Sequence, residues 1–325
     1  MGGETAPLLP MLTTMPSQLL AWFAAHGRDL PWRHTRDPYQ ILVAEIMLQQ
    51  TQVDRVLPKY HAFLATFPSV TALAEAATGE VIRHWAGLGY NRRAVNLQRT
   101  ARVIVAQHQG AFPREVAALR QLPGLGPYTA GAVACFAFEQ DVVFLDTNMR
   151  RVLQRTHNGP AVATTAAGDR QLLEVSAALL PVGQGWAWNQ ALIELGALVC
   201  RASSPACPRC PLRAECRAHA AWRNDDETLL AAMGAAPAVP LRRAAEERAS
   251  YRSSERFVGS NRWYRGRLID LLRAQPPQQP VLLSMLGPQL RENFGPADMA
   301  WLQQLATGLA RDGLLVLAGE WVRLP

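Results

Sequence analysis

Four cysteines lie close together near residue 210 and could hold a metal centre. Cys200, Cys207, Cys210 and Cys216 follow a C-x6-C-x2-C-x5-C spacing. Four thiolates suit an iron–sulfur cluster or a structural zinc ion. Zinc sites usually contain two C-x2-C pairs or mixed cysteine and histidine ligands, and this stretch has one close pair, so the spacing favours a cluster. Disulfides would staple only small loops, and the fifth cysteine, Cys135, lies in an apolar run.

Two carboxylates occupy positions where they could act on a substrate. Glu45 is the one charged residue in the apolar run 41–48. A desolvated carboxyl keeps its proton near neutral pH and can serve as a general acid; the alternative is a helix residue that faces solvent. Asp146 precedes a helical segment, where aspartate commonly caps the helix. It could also stabilise a cation, and the sequence leaves both interpretations open.

The segment 122–129, LPGLGPYT, separates two helical segments. Glycines allow a sharp turn, and their N–H groups together with the N-terminus of the next helix form an anion site. Such a helix-hairpin-helix binds a DNA phosphate without reading the sequence. We therefore expect phosphate contacts at Gly124, Gly126 and Thr129, the alternative being an ordinary turn between helices.

Two short polar clusters, at residues 49–52 and 87–90, lie at the ends of helical segments. Amide side chains such as Gln50 and a tyrosine such as Tyr90 can enter a base stack or pair with an orphaned base. Simple capping of helix ends at the surface is the alternative.

The net charge of +7 and the pI of about 9.6 are consistent with a polyanionic partner. Lys59 is the single lysine, so a Schiff-base mechanism would have one side-chain amine available. Apolar residues make up 49% of the chain, and no apolar run approaches the roughly 20 residues of a membrane helix. The first 20 residues lack a secretory signal pattern, so we expect a protein of the reducing cytoplasm.

Helical periodicity dominates residues 17–222, and the only strand-like alternation there is the short segment 142–145. We predict an all-α region, with one long helical segment over residues 39–67. Residues 223–256 have the composition of a linker, and eight arginines against three glutamates lie between residues 242 and 267. The segment 257–325 predicts three helices followed by a hairpin, the pattern of a winged helix.

Taken together, these motifs resemble the helix-hairpin-helix DNA glycosylase superfamily that carries a [4Fe–4S] cluster. Within this superfamily, the resemblance is to the adenine DNA glycosylase (MutY-type) branch. It rests on LPWR at 30–33, AEIMLQQTQV at 44–53, GLGY at 87–90, GPYTAG at 126–131 and NQALIELGA at 189–197.

The resemblance implies a catalytic domain over residues 1–222 with a two-lobed helical fold. A six-helix barrel would span about residues 31–138 and carry the helix-hairpin-helix. The cluster lobe would combine the N-terminus with about residues 139–222. A linker over 223–256 and a winged-helix-like domain over 257–325 complete the expected organisation.

The resemblance also implies a monofunctional glycosylase that removes adenine mispaired with 8-oxoguanine or guanine in double-stranded DNA. Glu45 matches the acid that protonates adenine, and Asp146 matches the carboxylate that stabilises the sugar cation. Both carboxyls are then expected to face one nucleotide pocket. Tyr128 replaces the catalytic lysine of endonuclease III-type lyases, and Asn148 supports Asp146. The remaining matches are the adenine pocket (Arg28, Trp32, Arg33, Gln190, Glu194), the residues that probe the gap (Gln50, Tyr90) and the four cluster cysteines. A monomer in the cytoplasm, associated with the nucleoid, is expected.

Several departures from the family keep alternatives open. The Phe-Ser-His-type loop that reads 8-oxoguanine is missing, Asn91 replaces a second tyrosine, and Thr147 replaces a glycine. The tail resembles that of shorter actinobacterial relatives. A branch that removes thymine or uracil opposite guanine shares Tyr128 and a segment like WRHTRDPY at 32–39, whereas Gln49, Gln50, Gln190 and Glu194 favour adenine. A DNA-binding module without catalysis is the third alternative.

Overall fold

The computed structural model describes residues 9–160, 165–224 and 257–325, with side chains from residue 14 onward. All but the first two residues of the predicted linker 223–256, and most of the arginine-rich stretch, lie outside these ranges. Contacts divide the chain into two units, Met1–His34 with Gly131–Arg252 (unit 1) and Thr35–Ala130 with Ser253–Pro325 (unit 2). The predicted domain limits therefore stay a prediction.

The described residues are mainly helical, which confirms the predicted fold class. In chain order the helices are α1 Leu9–His26, α2 Pro38–Leu48, α3 Val53–Thr66, α4 Val70–Glu75, α5 Thr78–His84, α6 Arg92–His108, α7 Val116–Leu119, α8 Pro127–Phe138, α9 Thr147–Leu153, α10 Ala166–Leu179, α11 Gly185–Leu198, α12 Asn261–Arg273, α13 Leu283–Leu290 and α14 Met299–Arg311. Residues 217–224 are also helical. No described helix is long and apolar enough to cross a membrane.

The predicted single helix over residues 39–67 is wrong, because the chain breaks between α2 and α3. Gln50 adopts a left-handed φ of 54° at the break. The guanidinium of Arg93 donates to the carbonyl oxygens of Ile46 (2.7 Å), Met47 (3.0 Å) and Gln49 (2.7 Å). These carbonyls at the end of α2 have lost their helical partners, and a side chain from α6 satisfies them.

In unit 1, the side chain of Asp141 holds the backbone at the start of α11. The carboxylate of Asp141 accepts the backbone N–H groups of Gly183 (2.5 Å) and Gly185 (2.8 Å), which lead into α11. A Cβ at Gly185 would lie 2.8 Å from the carbonyl oxygen of Gln140, so the close approach requires glycine. This anchor fixes the start of α11, the helix that carries Gln190 and Glu194.

In unit 2, the C-terminal segment has the predicted winged-helix pattern of three helices and a terminal hairpin. The strands are β1 Val281–Leu282, β2 Val316–Ala318 and β3 Trp321–Arg323, in the antiparallel order β1-β3-β2. Leu268, Leu286 and Leu302 form a core that is continuous with Ile82 of α5 and Val95 of α6. The C-terminal segment therefore shares its hydrophobic core with α5 and α6.

Candidate active site

Glu45 lies on α2 and is buried, with 5% of its surface exposed. All of residues 41–47 are buried, so this helix has no solvent face. The alternative of a solvent-facing glutamate is therefore excluded. Burial provides the desolvated surroundings that a carboxylic general acid requires.

Asp146 caps the N-terminus of α9 and has a second hydrogen-bonding partner. One carboxylate oxygen, Oδ1, accepts the backbone N–H of Met149 at 2.6 Å, and Oδ2 accepts Nδ2 of Asn148 at 2.9 Å. Burial raises the pKa of Asp146 above its ordinary value, although these hydrogen bonds and the charge of Arg151 oppose the rise. Arg151 also donates to Oδ1 of Asn148 at 2.7 Å, which fixes the amide orientation.

The two carboxylates belong to different units, Glu45 to unit 2 and Asp146 to unit 1. Each has surroundings suited to its expected role. Their common approach to one nucleotide stays a prediction.

Four of the five residues predicted to bind adenine form one hydrogen-bonded cluster in unit 1. The Glu194 carboxylate, which is 0% exposed, accepts Arg28 Nε and Arg33 Nη2, each at 2.7 Å. Arg33 Nε also donates to Oε1 of Gln190 at 2.9 Å. Burial alone would raise the pKa of Glu194, but the hydrogen bonds from Arg28 and Arg33 outweigh it and lower that pKa. Trp32, the fifth residue, is buried in the same unit.

Gln50 and Tyr90 line one cavity of about 910 Å³ in unit 2. Tyr90 is 45% exposed and has a left-handed φ of 45°. Its segment is held by Arg93, whose Nη2 donates to the carbonyl oxygens of Leu88 (3.0 Å) and Gly89 (3.2 Å). Arg93 thus joins the segments of Gln50 and Tyr90, and burial lowers its pKa to about 10.

The helix-hairpin-helix turn has the predicted open backbone. Gly124 has a φ of 78°, and a Cβ there would lie 2.9 Å from the Cβ of Asn96, so only glycine fits. Gly126 faces open space, and α8 begins at the next residue, Pro127. The side chain of Thr129 is buried, and its Oγ1 accepts Nε2 of Gln49 at 3.4 Å. A phosphate contact at Thr129 must therefore come from its backbone N–H, while Tyr128 in the same first turn is half-buried.

Cys200, Cys207, Cys210 and Cys216 line a single cavity in unit 1. Burial raises the pKa of Cys210 to about 12, and the other three thiols add to the rise. No disulfide joins the five cysteines. Within the described ranges, no group of three or more His, Cys, Asp or Glu residues is arranged to hold a single metal ion.

Arginines fix the backbone around this cavity. Arg151 Nε donates to the Cys200 carbonyl oxygen at 2.6 Å, and Arg155 donates to the carbonyl oxygens of Arg201 (2.7 Å) and Ala202 (2.8 Å). Burial disfavours the charged thiolate form, so ligation by these four cysteines would require a metal group that supplies compensating positive charge.

Sequence reasoning missed Arg93 and Asp141, because nothing near either residue in the sequence indicates its partner. Arg93 is 44 residues from Gln49, and Asp141 is 42 residues from Gly183. Both residues position segments that carry predicted site residues.

Residues 43–177 match the family described as the HhH-GPD superfamily of base excision DNA repair proteins. The chain is 39% identical to an adenine DNA glycosylase of Mycolicibacterium smegmatis, over 95% of this chain and 98% of the relative. It is 39% identical to the human adenine DNA glycosylase over 68% of this chain and 42% of that relative. The mycobacterial match therefore extends into the C-terminal segment.

Two solved structures share the fold. A thermostable thymine-DNA glycosylase matches with a TM-score of 0.61 and 30% identity, over 65% of this chain and 98% of that chain. Endonuclease III in a non-covalent DNA complex matches with a TM-score of 0.57 and 21% identity, over 67% of this chain and 100% of that chain.

Proposed function

Because the chain belongs to the adenine DNA glycosylase family, we propose that it hydrolyses the N-glycosidic bond of a mispaired adenine in double-stranded DNA. The observation that carries this proposal is the buried carboxyl of Glu45 in the apolar helix α2. Protonating the adenine ring makes it a better leaving group, and a desolvated carboxylic acid is suited to donate that proton.

Asp146 takes the complementary role at the sugar. Loss of the base leaves an oxocarbenium-like cation, which an ionised carboxylate stabilises. The N–H of Met149 and the amide of Asn148 favour the charged form of Asp146 against its burial. The proposed chemistry therefore divides two carboxyls into one proton donor and one anion.

The base must leave the duplex before either carboxyl can act. In the proposal, the turn at Gly124 and Gly126 and the first N–H groups of α8 hold a phosphate. Gln50 and Tyr90 occupy the space that the extruded nucleotide leaves in the duplex. The buried cluster around Glu194 fixes the pocket for the extruded adenine. Tyr128 offers no amine and Lys59 is the single lysine, so water completes the reaction without a Schiff base.

A [4Fe–4S] cluster held by Cys200, Cys207, Cys210 and Cys216 is part of the proposal. Support comes from the shared cavity of the four thiols and from the arginines that fix their backbone. Such a cluster contributes folding energy and a fixed loop, and no step at the glycosidic bond is assigned to it. DNA binding by a monomer in the cytoplasm completes the proposal.

A panel of end-labelled duplexes tests this function. Adenine opposite 8-oxoguanine, adenine opposite guanine, thymine opposite guanine and uracil opposite guanine are incubated with the protein, then treated with or without hot alkali. We expect cleavage of the adenine strand after alkali only, since hydrolysis leaves an intact abasic strand. Cleavage without alkali would contradict the monofunctional mechanism.

Two variants assign the roles within that panel. Glu45→Gln and Asp146→Asn should each lower base release by about 100-fold to 10,000-fold while duplex binding is retained. Glu75→Gln is the matched control, since Glu75 is exposed on α4 and should release adenine at the wild-type rate. Near-normal release by the Glu45 or Asp146 variant would refute the assignment.

A thymine or uracil mismatch glycosylase is the second candidate function. It is favoured by the thymine-DNA glycosylase structure that matches at 30% identity. Cleavage of the thymine or uracil strand, with the adenine strands intact, would establish a mismatch glycosylase in place of an adenine glycosylase.

A further inference from the structure

Arg150 lies one helical turn after Asp146 on α9. Its backbone N–H donates to the Asp146 carbonyl oxygen at 3.0 Å. Residues four positions apart lie on the same face of a helix. The Arg150 side chain therefore leaves α9 on the face that begins with Asp146, the residue that carries the proposed anion.

A bidentate ion pair holds the Arg150 guanidinium against α10. Nε donates to Oδ1 of Asp169 at 2.6 Å, and Nη2 donates to Oδ2 at 2.7 Å. Asp169 lies in the first turn of α10, where Thr165 is the N-cap. The side chains are only partly exposed, at 26% for Arg150 and 36% for Asp169. Two parallel hydrogen bonds fix the plane of the guanidinium, so its charge has a defined position.

Both members of the pair are ionised near neutral pH. The hydrogen bonds to Asp169 raise the pKa of Arg150 above its ordinary value, although burial opposes the rise, and the charges of Asp169 and Asp146 add to it. The hydrogen bonds from Arg150 lower the pKa of Asp169 in turn. The charge of Arg150 thus acts on Asp146, and Asp169 compensates that charge.

A second cation, Arg151, also acts on Asp146 from α9. Its charge opposes the rise in the pKa of Asp146 that burial causes. Its Nη2 donates to Oδ1 of Asn148 and to the Gly196 carbonyl oxygen on α11, each at 2.7 Å. These two acceptors are neutral, so they do not reduce the charge of Arg151. An uncompensated guanidinium at Arg150 would add a further positive charge beside one carboxylate.

Two opposing demands meet at Asp146 in the proposed reaction. A guanidinium favours the ionised carboxylate, but the same positive charge repels the cation that forms at the sugar. We propose that Arg150 and Asp169 are positioning residues that act on Asp146 as a compensated pair of charges. Arg150 favours the anion, and Asp169 limits the repulsion of the sugar cation. The inference rests on the proposed function, in which Asp146 stabilises that cation.

A charge cycle of three variants tests the pair. Arg150→Gln leaves a negative charge at the pair, Asp169→Asn leaves a positive charge, and the double variant leaves no charge. We expect the midpoint of the Asp146 titration to move to higher pH in Arg150→Gln and to lower pH in Asp169→Asn, by about 0.3 to 1 pH unit each. In the double variant the midpoint should return to the wild-type value, because the net charge of the pair is restored.

Carbon-13 NMR of aspartate carboxyl groups measures this titration without any turnover. The protein is labelled at the side-chain carboxyl carbon of aspartate, and the Asp146 signal is the one that Asp146→Asn removes. The acidic limb of single-turnover base release should move in the same direction as the NMR midpoint. Both quantities are positions on the pH axis, so a smaller folded fraction in a variant does not imitate a shift.

The rate above the acidic limb gives a further readout. Asp169→Asn leaves the charge of Arg150 uncompensated, so base release at the plateau should be about 2-fold to 20-fold slower. Arg150→Gln should not slow the plateau, because it removes the repelling charge. A plateau that falls equally in both single variants would show that the ion pair is only structural and would refute the inference.

Glu174→Gln is the matched control for Asp169→Asn. Glu174 is exposed on the same helix, α10, whereas the carboxylate that binds Arg150 belongs to Asp169. The control makes the same change in charge, yet the Asp146 midpoint and the plateau should keep their wild-type values. Midpoints that move in the same direction in both single variants, or that stay at the wild-type pH in both, would overturn the inference.

Duplex binding separates this role from a direct contact with DNA. The probe is a duplex in which 2′-fluoroadenosine, whose glycosidic bond stays intact, is opposite 8-oxoguanine. The slope of log affinity against log salt should be the same for Arg150→Gln and the wild type. A slope that is lower by about one would show that Arg150 binds a phosphate, and the inference would be wrong.

The two proposals fail in different ways. A wild-type protein that releases no adenine from any mispair refutes the proposed function, whereas the NMR midpoints still report on the pair. A protein that releases adenine normally, with equal midpoints in the wild type and all three variants, refutes the inference alone.

Discussion

Glu45 and Asp146 have the same functional group, and their surroundings differentiate them. Glu45 lies inside an apolar helix, whereas Asp146 accepts hydrogen bonds from the N–H of Met149 and the amide of Asn148. Since hydrogen bonds to a carboxylate favour its charged form, the second site is suited to an anion even though burial raises its pKa. The proposed mechanism therefore assigns the proton to Glu45 and the negative charge to Asp146.

The Asn148 amide should control the acidic limb of the pH–rate profile. In the proposed mechanism the rate falls as pH drops through the pKa of Asp146, because the protonated acid cannot stabilise a cation. Asn148→Ala removes a donor to the carboxylate, so that pKa rises further and the acidic limb moves to higher pH. Single-turnover base release measured between about pH 4 and 9 reports the shift.

Asn158→Ala serves as the control for this variant. Asn158 is exposed and donates to Oε1 of Gln154 at 3.0 Å, away from the Asp146 carboxylate in the hydrogen-bond network. An acidic limb that stays at the wild-type pH in Asn148→Ala would show that the amide does not tune Asp146.

At the scale of elements, the break between α2 and α3 shows how one side chain organises two segments. Arg93 donates to carbonyl oxygens at the end of α2 and to those of Leu88 and Gly89. Arginine presents several N–H groups in a fixed plane, which a lysine ammonium does not reproduce. The segments that carry Gln50 and Tyr90 therefore depend on a common support.

Arg93→Lys should destabilise the protein and loosen both segments. About three hydrogen bonds would be lost, at roughly 1 kcal/mol each, so the free energy of unfolding should fall by about 3 kcal/mol. Denaturant unfolding measures the loss, and hydrogen exchange should rise at residues 49–52 and 87–90. The control is Arg92→Lys, because the Arg92 side chain is 64% exposed, and this substitution should change neither the free energy of unfolding nor hydrogen exchange. Equal effects of the two substitutions would contradict the supporting role of Arg93.

The sequence predicted elements wherever the signal is local. The helical periodicity, the turn glycines 124 and 126 and the close cysteines are all patterns within a few residues of sequence, and the family resemblance was correct.

The α2–α3 break was missed because its cause, Arg93, is distant in sequence. The strand-like segment 142–145 forms no strand, and the Val142 carbonyl oxygen instead accepts Nδ2 of Asn189 at 2.9 Å. The two-residue β1 is too short for a period-2 pattern, and its Val281 pairs with the distant Val322.

At the scale of the whole molecule, the C-terminal segment is an integral part of unit 2. Ile82 and Val95 belong to the same core as Leu286, and the Gly79 N–H donates to the Pro325 carbonyl oxygen at 2.8 Å. Removing the segment would expose apolar side chains at a cost of about 1.5–3 kcal/mol each. Point variants therefore test the role of the segment better than truncation does, because truncation would also disrupt the core of unit 2.

Creating a cavity in the core of the C-terminal segment should also destabilise α5 and α6. Leu286 is fully buried, so Leu286→Ala should lower the free energy of unfolding by about 2–5 kcal/mol. Because the core is continuous, hydrogen exchange should accelerate in α5 and α6 as well as in α12–α14. Met285→Ala changes the adjacent, 62% exposed residue and should have little effect. Acceleration confined to residues 257–325 would show that the segment unfolds independently.

The division of the chain has a consequence for how it folds. Each unit draws on two stretches that are far apart in the sequence, 1–34 with 131–252 and 35–130 with 253–325. No single cut of the polypeptide yields a fragment that holds one whole unit and nothing else. Closing such long-range pairings costs loop entropy before it gains contacts, which slows folding. During synthesis, neither unit can fold completely when only the first half of the polypeptide has been made, because each unit includes residues from the second half.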